Sequence, residues 1–150
     1  MQIDEIDKMI YRELEKDGRS TISNLSAKVG LSMPAVSERV RRLESEGYIG
    51  GFTITPGEKI KNAYPVAIQS MIKLEKADKW DSFQAFLDKQ DYVTWYGTTT
   101  GRFDFVVHIM ARDTNHLEKI LREITAFPVV TDMESNLLLK QKNKNTANYL

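Results

Sequence analysis

Residues 29–47 read VGLSMPAVSERVRRLESEG, and the reading of this stretch decides the fold. Gly30 can end one helix, because glycine enters the left-handed conformation without a steric penalty. Ser32 can cap the next helix, and Pro34 then falls in its first turn, where a missing N–H costs nothing. The spacing predicts a helix running to about Glu46, with Gly47 as its stop. On a helical wheel, Val36, Val40 and Leu43 share one narrow arc and form an inward stripe. Pro34, Ser37, Glu38, Arg41 and Ser45 take the opposite side, with Arg39 and Arg42 on one shoulder. A short helix, a glycine-containing turn and a second helix with an outward basic flank make a helix-turn-helix. In that motif the second helix enters the major groove of DNA.

The residue types suit that task. An arginine fork binds guanine edges or a phosphate through two parallel hydrogen bonds. Ser32 and Ser37 offer hydroxyls to phosphate or base edges, and a helix N-terminus attracts phosphate. The expected DNA-contacting residues are therefore Ser32, Met33, Pro34, Ser37, Arg39, Arg41 and Arg42. The competing reading is a solvated helix face on which Glu38, Glu44 and Glu46 balance the arginines. The preceding helix, the turn and a wing-like segment after Gly47 outweigh it.

Outward from this motif, Ile3, Ile6, Ile10 and Leu14 recur at helical spacing. Asp4, Glu5 and Asp7 sit where a first helical turn favours negative charge, and Gly18 ends the helix. A short second helix starts after Ser20 or Thr21 and turns Ile22, Leu25 and Val29 inward. Downstream, YIGGFTI (48–54) has a short strand pattern interrupted by a glycine pair, and TPGEKIKNAYP (55–65) is polar and turn-rich. Strand patterns follow at 66–74, 92–99, 103–111 and 129–139, with helical patterns at 80–89 and 114–126, the latter capped by Thr114. The order is strand, helix, strand, strand, helix, strand, which is the ferredoxin-like unit. The fold class is thus α+β, a (winged) helix-turn-helix followed by a ferredoxin-like βαββαβ domain. The expected boundaries are 1–52, a linker at 53–65, 66–140, and a flexible tail at 141–150.

Two helices can cover only one face of a four-stranded sheet. Alternation leaves Ala67, Met71, Val106, Met110, Val130 and Leu138 on the other face. A half-apolar, uncovered face meets a partner, so a homo-oligomer built through the second domain is expected. Trp80, Phe83, Phe86 and Leu87 read as core rather than as a cofactor box.

Composition bounds the alternatives. Of 150 residues, 41% are hydrophobic and 28% charged, a globular balance. Lys+Arg and Asp+Glu both number 21, so any DNA affinity must come from basic residues placed locally. The absence of cysteine excludes disulfides and thiolate chemistry, and two histidines are too few for an all-histidine metal site within one chain. No cofactor or metal is expected. No apolar run approaches the ~18 residues of a membrane span, and the acidic N-terminus does not read as a secretory signal. A cytoplasmic location is expected.

The pattern IDEIDKMIYRELEKDGR, then NLSAKVGLS, then VSERVRRLESEGYIGGF resembles the N-terminal half of the Lrp/AsnC (feast/famine) transcriptional regulators. TTTGRFDFVVHI resembles the Gly-x-x-Asp turn and strand of their ligand-sensing domain, and the match spans residues 2–140. The resemblance implies a transcriptional regulator that binds double-stranded DNA, forms dimers that assemble further into octamers or similar discs, and answers to amino-acid effectors. It places the effector site at a subunit junction near Thr98, Thr99, Thr100, Gly101 and Asp104. There, Asp104 could pair an ammonium group while backbone N–H groups around Gly101 hold a carboxylate. The alternative is that these residues simply close a turn. Two positions depart from the family pattern: Asn24 stands where Glu is common, and Gly50 where a basic residue is common.

Two other functions compete. A DNA-compacting architectural protein would use the same helix with little sequence preference. An enzyme resembling haem-precursor decarboxylases would use His108 on the uncovered sheet face as an acid. A lone strand histidine is more often packed and hydrogen-bonded, and no paired carboxylates or phosphate-binding glycine loop support catalysis. The chain is expected not to be an enzyme.

Overall fold

The computed structural model describes residues 3–141. They fall into two compact units, one ending at Thr55 and the other spanning Pro56–Gln141. The first unit opens with helix α1 (Glu5–Lys16). Its cap is reciprocal: the Asp7 N–H donates to the Asp4 carboxylate at 2.8 Å, and the Asp4 N–H donates to the Asp7 carboxylate at 3.1 Å. Helix α2 (Ile22–Val29) is capped by Thr21, whose hydroxyl accepts from the Asn24 N–H at 3.2 Å. It ends at Gly30, whose φ of 70° is the left-handed conformation that the sequence anticipates. Helix α3 (Met33–Ser45) begins after Ser32, and its C-cap is Glu46. The three helices close around Ile10, Leu14, Leu25, Val36 and Leu43. At about 1.5–3 kcal/mol per buried aliphatic side chain, this cluster is what fixes the direction of α3.

The strand expected after Gly47 does not form. Residues 48–57 carry no strand in this chain. Gly50 and Gly51 offer no side chains to pack, and among the described residues of the unit there is no strand to pair with them. The Phe52 ring instead lies against Gly18, so close that a Cβ on Gly18 would meet it at 3.2 Å. The stretch expected to be a plain linker contains helix α4 (Glu58–Ala63), with a Lys61–Glu58 ion pair of 3.0 Å along it.

The second unit is built on strand β1 (Val66–Leu74), followed by a 3₁₀ turn (Ala77–Lys79) that leads into helix α5 (Trp80–Leu87). Strands β2 (Val93–Thr98) and β3 (Phe105–Ala111), helix α6 (Thr114–Thr125) and strand β4 (Val130–Leu137) complete it. The sheet is antiparallel, in the order β2-β3-β1-β4. This is the ferredoxin-like order. Phe83 of α5 and Ile120 and Ile124 of α6 pack on Ile68, Ile72, Phe105, Val107 and Ile109 of the sheet. Phe83 meets Phe105 edge to face at 5.1 Å. The aromatic run of α5 is core, as its spacing indicates.

Two local expectations are corrected. The cap of α6 is Asp113, not Thr114: the Asp113 carboxylate accepts from the His116 N–H at 2.7 Å. Asp113 still has extended backbone, whereas Thr114 is already helical, and its hydroxyl does not cap the helix. Val130 lies on the helix-covered face rather than the open one. A register shift at Lys73/Leu74 pairs Leu74 with Val130 and carries Val130 into the core. The expected tail lies outside the described residues apart from Gln141.

Candidate nucleic-acid interface and effector turn

The outward side of α3 begins at its N-terminus. Ser32 accepts from the Ala35 N–H at a long 3.4 Å, which leaves its hydroxyl weakly committed. Met33 is exposed, as is Pro34, and Ser37 is half-buried. Arg41 projects furthest, with 72% of its side chain exposed. Its partner is Glu38 at 2.9 Å, itself 69% exposed. An ion pair this wet is worth well under about 1 kcal/mol, so a phosphate or a guanine edge can take the guanidinium.

Arg39 and Arg42 behave differently. Both turn towards α1, where Asp7 is only 1% exposed. Arg39 Nη1 donates to Asp7 Oδ1 at 2.8 Å and to Asp4 Oδ2 at 2.7 Å, while Arg42 Nη2 donates to Asp7 Oδ2 at 2.6 Å. The hydrogen bonds to Asp4 and then Asp7 raise the Arg39 pKa above its ordinary value. The Asp7 N–H, and then Arg39, lower the Asp4 carboxyl from 3.8 to about 2. Sequence reading treated Asp7 only as a first-turn charge. Yet Asp7 lies in line with Ile3, Ile10 and Leu14 at helical spacing, so it faces inward and needs a cation. That spacing was the available signal.

The turn from β2 to β3 is tied internally. The Thr99 N–H donates to the Asp104 carbonyl at 2.9 Å, and its hydroxyl to the Phe103 carbonyl at 2.7 Å. Gly101 has φ 107°, a conformation that a side chain would strain. Thr98, Thr100 and Gly101 are exposed. Asp104 is committed to β1: its carboxylate accepts from the Leu74 N–H at 2.8 Å and from Lys73 Nζ at 3.0 Å. A ligand ammonium would therefore compete with Lys73, a residue that sequence reading did not single out.

On the uncovered sheet face, one row runs Trp95, His108, Gln69, Asn136. The His108 ring is 7% exposed and stacks under Trp95 with centroids 5.9 Å apart. Its Nδ1 is bonded to the Thr94 hydroxyl and its Nε2 to the Gln141 side chain at 2.7 Å. This is the packed, hydrogen-bonded histidine of the plainer sequence reading. Met71, Val106 and Met110 continue the face, half-buried, and Trp95 is 49% exposed. Among the described residues no group of three potential metal ligands gathers, and no helix is long and apolar enough to cross a membrane.

Comparison with known proteins gives a consistent picture. Residues 3–49 match the winged helix-turn-helix DNA-binding family, and residues 68–147 match the Lrp/AsnC ligand-binding domain. The leucine-responsive regulatory protein of Salmonella typhimurium is 31% identical over 147 residues, covering 95% of this chain and 90% of its own. Escherichia coli AsnC superposes with a TM-score of 0.88 at 26% identity, covering 97% of this chain and 98% of that one. Bacillus subtilis LrpC does so with a TM-score of 0.84 at 27% identity, covering 95% and 99%.

Proposed function

The chain belongs to the Lrp/AsnC family of transcriptional regulators, and from that premise we propose how its parts divide the work. Helix α3 enters the major groove. Ser32, Met33, Pro34, Ser37 and Arg41 face the duplex, while Arg39 and Arg42 brace the helix from behind. The carrying observation is the contrast between Arg41, exposed and paired only to an exposed carboxylate, and Arg39 and Arg42, both held by a buried one. The test is Arg41→Ala, measured by fluorescence anisotropy against a duplex selected by the protein from a random library. If Arg41 reads a base, the selected duplex loses about 1–3 kcal/mol, while a scrambled duplex loses less. If Arg41 touches only phosphate, both lose alike and the salt dependence flattens by about 0.9.

The second unit senses a small molecule and joins copies of the chain. The matched ligand-binding family and the name of the leucine-responsive relative support an amino acid as the effector class. The effector site is the 98–104 turn, with Thr98, Thr99, Thr100 and Gly101 presenting backbone and hydroxyl groups. Asp104 shapes this turn and shares its carboxylate with Lys73. The open sheet face supports a homodimer, and higher assembly to an octamer follows from the family. The protein acts on DNA in the cytoplasm and is not an enzyme, a reading supported by the commitment of both His108 ring nitrogens to neighbours.

A further inference from the structure

Residues 3–55 carry eight Lys and Arg against nine Asp and Glu. A DNA-binding unit with no positive excess draws its affinity from where each cation is aimed. Cations aimed at phosphate strengthen binding to every sequence equally, because the backbone carries no sequence information. Three arginines in four positions of α3 would supply a strong sequence-blind grip. The structure aims two of them elsewhere.

Asp7 makes that difference. Burial of its carboxylate demands compensation, and the Asp4 N–H, Arg39 and Arg42 provide it. The side chains of Arg39 and Arg42 keep 23% and 29% exposure on the shoulder of the groove face. Released, both could swing into solvent beside the duplex. Asp4 adds a second hold on Arg39.

We propose that Asp7 is a specificity-determining positioning residue. It withholds Arg39 and Arg42 from the sugar–phosphate backbone, so that DNA is engaged through Arg41 and the N-terminal end of α3. This rests on the reading of α3 as the groove element.

The test uses the full chain and two duplexes, the library-selected one and its scrambled version, titrated by anisotropy from 50 to 200 mM salt. Asp7→Asn keeps the shape, with an amide oxygen left to accept the Asp4 N–H, and removes the charge. Arg42 loses its carboxylate while Asp4 keeps Arg39, so the log-affinity against log-salt slope steepens by about 0.9 on the scrambled duplex, and by about 1.8 when Asp4→Asn is added and Arg39 is released as well. Affinity for that duplex rises at low salt, and the ratio of selected to scrambled binding falls. Adding Arg39→Gln and Arg42→Gln to Asp7→Asn returns the slope to the wild-type value. Arg42→Gln alone, which leaves Asp7 paired with Arg39, leaves the slope unchanged. An Asp7→Asn protein with wild-type slope overturns the proposal. So does flattening of the slope by Arg42→Gln alone, and that measurement decides the matter if Asp7→Asn does not fold by circular dichroism. Failure of the parent reading looks different: Arg41→Ala would then bind both duplexes as the wild type does.

Discussion

Asp4 and Glu13 show how single carboxylates tie this fold to pH. Asp4 caps α1 and holds Arg39. Glu13 accepts from Lys16 at 2.7 Å and from Lys28, so it links α1 to α2. Hydrogen bonds from Lys16 and then Lys28 lower the Glu13 carboxyl from 4.5 to about 2, matching the depression of Asp4 from 3.8 to about 2. A depressed carboxyl binds its proton more readily in the unfolded chain, so each stabilises the fold at neutral pH and loses that contribution as pH falls through the folded value. Stability should be flat above about pH 5 and decline between about pH 4.5 and 2. Urea melts across that range check it. The Asp4→Asn, Glu13→Gln double variant should show a shallower decline, and an equally steep one would assign the acid sensitivity to other groups. The same residues mark what was legible at this scale. A helical wheel tells which way Arg39 and Arg42 point, but it does not name what they meet. Asp7 was visible as an inward charge only by laying the first helix on its own wheel and asking for its counter-ion.

At the scale of elements, periodicity placed the helices and strands well, because each must bury one stripe or one face. Errors arose where a local rule had two candidates or a pairing had no partner. Asp113 and Thr114 both suit an N-cap, and only backbone direction chooses between them. Asp113→Ala should therefore cost about 1 kcal/mol in urea unfolding, and Thr114→Ala less than about 0.5. The reverse order would restore the cap to Thr114. Strict alternation misplaced Val130 because one unpaired residue, Thr131, shifts the register against β1. The strand read at 48–54 had the right residue types but, among the described residues of its unit, no strand to pair with. The turn proposed for the effector was legible as a turn from Gly101, whereas the grip of Lys73 on Asp104 comes from a strand some thirty positions away and has no sequence signature.

At the scale of the molecule, the open sheet face exposes apolar side chains that ask for a cover. Trp95, Met71, Val106 and Met110 lie on it beside the bound His108, and α5 and α6 are committed to the opposite face. A second copy would cover this surface with matching chemistry, since a two-fold interface is self-complementary. Val106 sits near the middle of the patch, paired with Met71 on β1 and Gly97 on β2. A carboxylate there would be buried without a cation in the assembly yet solvated in the single chain. Val106→Glu should therefore lower the mass measured by light scattering while leaving the far-ultraviolet circular dichroism of the fold intact. DNA affinity should fall with it, although residue 106 belongs to the second unit and not to α3. Two helix-turn-helix units joined in one particle raise each other's effective concentration at adjacent half-sites. Separated copies lose that gain without losing any contact. An unchanged mass would move the oligomer interface off this face, and unchanged affinity at reduced mass would show that single units suffice for binding.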